Sequence, residues 1–136
     1  MQNMDLASDY VRRAHARLAA IDALFDQASW ADVVRESQEV VELALKGLLR
    51  AHGVEPPRLH DVADVMIAEQ ARLPLAVQQD LDKLTDASRT LRRDRELAYY
   101  GAEDLTPSDF YKQADAVKAR DAARLVVKRV RPHVRS

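Results

Sequence analysis

Residues 29–57 read SWADVVRESQEVVELALKGLLRAHGVEPP. Val34, Ser37, Val41, Leu45 and Leu48 recur there at spacings of three and four, which gathers them on one face of an α-helix. Ser29, with Asp32 three residues on and Val33 and Val34 behind it, predicts a helix start in which a side-chain oxygen satisfies free backbone N–H groups. Gly53, followed by Pro56 and Pro57, predicts the end of that helix at about His52. A helix with one apolar stripe needs other helices to cover it.

The flanking sequence supplies them. Upstream, residues 5–27 place Leu6, Tyr10, Ala14, Leu18, Ile21 and Phe25 on one helical face. Downstream, a short helix over residues 59–70 carries Val62, Val65 and Met66, and Leu73 and Pro74 open a longer one over residues 75–100, marked by Val77, Leu81, Leu84 and Leu91. Gly101 stops it, and GAEDLTPSDF (residues 101–110) is a loop ending in a fresh start: Thr106 as cap, Pro107 at the first helical position and Asp109 at the positive end of the dipole. The last helix is predicted to reach about Val130, with Phe110, Ala114, Val117, Leu125 and Val126 facing the core. Five helices on short connections, with no strand pattern, predict an all-α, up-and-down four-helix bundle with one short extra helix, in a single domain over residues 1–136.

Composition narrows the function classes. Among 136 residues there is no cysteine, which removes disulfides, thiolate zinc sites and a cysteine nucleophile. The opening MQNMDLASDYVRRAH lacks the apolar centre of a secretion signal, and no apolar run is long enough to span a membrane, so a soluble cytoplasmic protein is expected. Net charge is −1, giving no global attraction to nucleic acid, yet residues 118–136 hold seven Lys and Arg against Asp121 alone. A terminal helix gathers cations at its negative dipole end; a strip for a phosphate backbone is the sharper reading. His15, His52, His60 and His133 are too scattered for a metal site, and no cofactor motif is present. Glu42 and Lys46 stand in the order of an intrahelical ion pair, and Trp30 is expected to bury against a neighbouring helix or a second copy. Asp5 with Asp9 and Glu39 with Glu42 are ordinary helical neighbours.

The chemistry-bearing stretch is RRDRELAYYG, residues 92–101. Arg92, Arg93 and Arg95 can hold a phosphate or stabilise a phenolate. Alternatively, Arg92 with Glu96 and Arg89 with Arg93 form a charged, solvated helix face, with Tyr99 and Tyr100 packed on the last helix.

SQEVVELALKGLLRAHGVEPPRLHDVADVM (residues 37–66) and LRRDRELAYYGAEDLTPSDFYKQADAVKARDAARLV (residues 91–126) resemble, in order and spacing, the central helix, the paired-proline loop, the following histidine and the capped final helix of the HEPN family. The resemblance implies a helical bundle that assembles as a homodimer. It also implies kinship with ribonuclease toxins, CRISPR-associated nucleases and toxin–antitoxin partners of minimal nucleotidyltransferases. The nuclease branch carries an arginine, four to six intervening residues and a histidine. Here Arg95 matches the arginine, Glu96 the polar position after it, and Tyr100 stands where the histidine belongs; counting from Arg93 also reaches Tyr100. Tyrosine, with an ordinary pKa near 10, is a poor base for the proton of a 2′-hydroxyl unless neighbouring cations lower it. The resemblance therefore implies a dimeric RNA- or nucleotide-binding regulatory module, with Arg92, Arg93, Tyr99 and His60 as ligand-binding candidates. The alternative is a metal-independent ribonuclease using Arg95, Tyr100 and Glu96. His60 also suits a capping or packing role, and Tyr99 and Tyr100 are candidates for modification by a nucleotidyltransferase.

Overall fold

The computed structural model describes residues 2–58, 61–100 and 106–134, with side chains for 5–58, 61–92 and 106–134. The stripe of residues 29–57 becomes α2 (Trp30–Ala51). Its buried positions come as adjacent pairs, Val33 with Val34, Val40 with Val41, Ala44 with Leu45 and Leu48 with Leu49, so α2 is covered from more than one side. Ser29 is the N-cap by position only: its hydroxyl donates to the Asp32 carboxylate at 2.6 Å and caps no backbone N–H. The C-terminal end follows the expected chemistry. Gly53 has φ +78°, its N–H bonds to the Arg50 carbonyl, and the Val54 N–H reaches back to Leu49, a Schellman closure that buries Val54.

Against α2 lies α1 (Gln2–Asp26), antiparallel to it. The two approach closely where α2 has no side chain: a Cβ on Gly47 would stand 2.8 Å from Val11 Cγ2 and 3.1 Å from the Ala7 carbonyl oxygen. The buried stripe of α1 is Ala7, Val11, Ala14 and Ile21, whereas the expected Leu6 is 41% exposed and Tyr10 half-buried. Small residues win these positions because the Gly47 contact draws the backbones together. Further along, Arg17 clamps Glu36 at 2.7 Å and Glu39 at 2.6 Å. Partial burial disfavours the Arg17 charge, but the hydrogen bonds to the two glutamates outweigh it and hold the guanidinium above the ordinary arginine range. A raised pKa contributes stability at every pH below that range and loses it only in strong alkali.

The chain continues through α3 (Val62–Ala68), a 3-10 turn at Gln70–Arg72, α4 (Leu75–Gln79) and α5 (Leu81–Tyr100). α3 is shorter than expected and begins at Asp61, whose carboxylate accepts the Ala63 N–H at 3.0 Å. The helix expected over residues 75–100 is interrupted at Asp80, with φ −96° and ψ 6°. Val77 and Leu81, on either side of that break, are both buried.

The last helix is also split, into α6 (Pro107–Phe110) and α7 (Gln113–Val130). Thr106 caps α6 through the Asp109 N–H, as its sequence predicts, but Tyr111 and Lys112 are extended. α7 starts afresh, the Asp115 carboxylate accepting the Lys112 N–H at 2.9 Å. Two extended residues change the helical phase. Tyr111 buries while Phe110 stays 40% exposed, and the core face is Ala116, Ala119, Ala123, Val126, Val127 and Val130, leaving Ala114 exposed and Val117 and Leu125 half-buried.

Cross-contacts fix the topology. Arg17 meets Glu36 and Glu39, Arg92 meets Glu42, Arg129 meets Asp80 and Arg124 meets Asp22, so α1, α2, α5 and α7 run alternately up and down. α2 also packs broadly on α7, with which it runs parallel: His52 Nε2 donates to the His133 carbonyl at 3.2 Å. The alanine face of α7 permits that close diagonal and places α1 and α5 on the outer flanks. The fold is all-α, with no strand among the described residues, and no described helix is long and apolar enough to cross a membrane.

Candidate functional site

Glu42 sits at mid-length on α2, where its carboxylate receives Gln38 Nε2 at 3.0 Å and Arg92 of α5 at 3.3 Å. This replaces the expected pairing of Glu42 with Lys46. Gln38 is 3% exposed, and its Oε1 has no partner among the described residues. One turn before Arg92, Arg89 is ion-paired to Asp64 of α3 and lies 3.9 Å from Asp61. The start of the arginine-rich segment is therefore anchored on two helices, where a free, solvated face was one expectation. A cation held by an acid on a neighbouring element keeps its orientation at lower entropic cost than a freely rotating one.

Of the predicted site residues, Arg92 alone has a described side chain. The backbone of α5 is helical through Tyr100, but the side chains of Arg93, Arg95, Glu96, Tyr99 and Tyr100 lie outside the described residues, as does His60 altogether.

The C-terminal cations divide between two seams of α7. Arg120 and Arg124 pair with Asp22 of α1 at 3.7 and 2.7 Å, and the Arg120 guanidinium lies 3.6 Å over the Phe25 ring, which in turn meets Trp30 edge-on. Arg129 turns the other way, to Asp80. Because α7 is drawn toward α2, both of its outer seams are thinly filled. The α1/α7 seam opens a groove of about 640 Å³ lined by Arg12, His15, Arg124, Lys128 and Arg131 over Val11, Leu18, Val127, Pro132 and Val134. The opposite groove, about 590 Å³, mixes Lys83 and Lys118 with Asp86 and Asp115 beside Leu91, Tyr111 and Leu125. Sequence reasoning saw the cations of α7 but not that Arg12 and His15 of α1 face the same space; their three-residue spacing on one helix face was the signal that could have shown it.

The chain is an alternating, all-α four-helix bundle that carries its arginine-rich segment on the third long helix. The family model described as "HEPN domain" matches residues 7–133, and the chain belongs to that family. Among solved structures it is similar to the crystal structure of TT1696 from Thermus thermophilus. The TM-score is 0.64 and the identity 22%, over 93% of this chain and 97% of that one, a likeness of fold. A search of curated proteins found no match.

Proposed function

We propose that this chain is a dimeric HEPN module of the toxin–antitoxin or defence kind that binds RNA or a nucleotide and works beside a nucleotidyltransferase. HEPN membership supports a nucleotide- or RNA-related role. The observation that carries the reading is the retention of Arg92, Arg93 and Arg95 with Tyr100 in the histidine's place. The segment keeps groups that bind phosphate and lacks the imidazole suited to moving a 2′-hydroxyl proton near neutral pH. The Arg92 to Glu42 bridge supports a fixed presentation of that segment. In this reading Arg93 and Arg95 contact phosphate, Tyr99 and Glu96 border the ligand, His60, two positions before Val62 in the sequence, contributes to it, and a second copy completes the groove.

The test combines gel-shift binding with cleavage assays on a panel of RNAs, using the purified chain. RNA is expected to be shifted and left intact, with Arg93→Ala and Arg95→Ala each weakening binding about tenfold while circular dichroism is unchanged. RNA cut by the parent and spared by Tyr100→Phe would instead establish a metal-independent ribonuclease using Arg95, Tyr100 and Glu96. Sedimentation of a monomer under the binding conditions would remove the shared groove.

A further inference from the structure

Basic side chains line the groove between α1 and α7 on both sides. Arg12 and His15 of α1 face Arg124, Lys128 and Arg131 of α7 and its terminal turn, all of them exposed, and no acid stands among the described residues that line the space. Arg12 pairs with Asp9 at 2.6 Å and Arg124 with Asp22 at 2.7 Å, whereas His15, Lys128 and Arg131 have no acidic partner among the described residues. Exposed ion pairs contribute little to stability, so both guanidiniums can pass to another carboxylate at small cost. The negative end of α7 accounts for Lys128 and Arg131. It does not account for Arg12 and His15, which come from the body of another helix. Like charges set across one groove repel, and an occupant bearing carboxylates relieves that repulsion.

Between the two basic rows the surface is aliphatic. Leu18 is half-buried and Pro132 exposed, beside the buried Val11, Val127 and Val134. From Ser8 to Leu18 the groove follows α1 for roughly 15 Å, about three helical turns. An apolar strip flanked by basic groups is the complement of a helix whose apolar stripe is flanked by acids, and a helix laid in a groove is a common mode of peptide recognition. A nucleic-acid single strand stacks its bases on aromatic side chains. None lines this groove among the described residues, and phosphates would leave Leu18 and Pro132 uncovered. The opposite groove, where Lys83 and Lys118 stand with Asp86 and Asp115, lacks this one-signed character.

We infer that the α1/α7 groove docks an acidic amphipathic helix of a partner protein. The apolar stripe of that helix rests on Leu18 and Pro132, and its carboxylates meet Arg12 and His15 along one edge and Arg124, Lys128 and Arg131 along the other. α5 contributes no described residue to this surface, so the inference stands apart from the phosphate-binding reading of residues 92–101.

The probe is a blocked synthetic peptide of about four helical turns, with leucine at i, i+3, i+4 and i+7 and glutamate flanking that stripe, titrated calorimetrically into the full chain. Saturable binding with a gain of helical circular dichroism is expected. Lys128 and Arg131 are exposed, so Lys128→Gln with Arg131→Gln should preserve the fold while weakening binding about tenfold or more. Lys118→Gln, in the opposite groove, should leave it unchanged. The same peptide with glutamine for every leucine should not bind. No binding by the leucine–glutamate peptide, equal binding by the glutamine version, or binding that survives in the double variant overturns the docking groove. A single-stranded RNA of equal charge that displaces the peptide and binds more tightly, with the same dependence on Lys128 and Arg131, overturns it in favour of a nucleic-acid surface. A dimer of the parent chain that falls apart in the double variant on sedimentation gives the groove to a second copy and overturns it as well.

Discussion

A Cβ at Gly47 would meet Val11 Cγ2 at 2.8 Å and the Ala7 carbonyl oxygen at 3.1 Å, so the absence of a side chain sets the separation of α1 and α2. Glycine within a helix costs roughly 0.5–1 kcal/mol relative to alanine, and close packing has to offset that. Gly47→Val is expected to destabilise by about 1–3 kcal/mol through overpacking against a backbone oxygen that cannot move aside cheaply. A urea midpoint equal to the parent's would show that the helices separate without strain. The same residue explains why Ala7 and Val11 take the inner positions expected of Leu6 and Tyr10, while the expected Ala14 and Ile21 are buried. The larger side chains Leu6 and Tyr10 outweigh Ala7 and Val11 in a hydrophobicity pattern, but only small residues fit beside a glycine in contact.

Local chemistry settled the helix ends unevenly. Gly53 with its positive φ closes α2, and Thr106 with Pro107 opens α6, because these motifs need only neighbouring backbone. Ser29 failed as a cap because Asp32 took its hydroxyl, an outcome that residue types alone do not decide. Asp61 both caps α3 and faces Arg89 of α5, and substitution separates the two roles. Asp61→Ala should cost about 1 kcal/mol, whereas Asp61→Asn keeps the cap and should lose only a few tenths, since the Arg89 contact is long and exposed. Equal losses in thermal melts of the two variants would place the energy in the charge. The breaks at Asp80 and at Tyr111 and Lys112 carried no proline or glycine signal; the second comes with the burial of Tyr111 beside an exposed Phe110.

Across the molecule the buried side chains form one cluster fed by every long helix, which predicts one cooperative unfolding transition. Trp30, the single tryptophan, packs on Phe25 where α1 hands over to α2, and Phe25 in turn lies under Arg120 of α7. Its fluorescence should therefore change at the same denaturant concentration as far-UV helicity. A tryptophan transition preceding the helical one would mean that the α1 and α2 end opens separately. The asymmetry of the two α7 seams also belongs to this scale: α7 is drawn toward α2 by its alanines, and the space left on either side becomes one cationic groove and one of balanced charge.

From the sequence alone came the all-α class, the four long helices, their approximate ends and the HEPN resemblance, because hydrophobic period, caps and helix breakers act over a few residues and are written in order along the chain. Tertiary structure alone decided that Ala7 and Val11 lie inside in place of Leu6 and Tyr10, that Tyr111 buries in place of Phe110, that Glu42 holds Arg92 in place of Lys46, and that Arg12 and His15 confront Arg124, Lys128 and Arg131. Those outcomes depend on helix separation and on phase shifts at short extended breaks, which arise from packing between residues up to a hundred or so positions apart, as with Asp22 and Arg124.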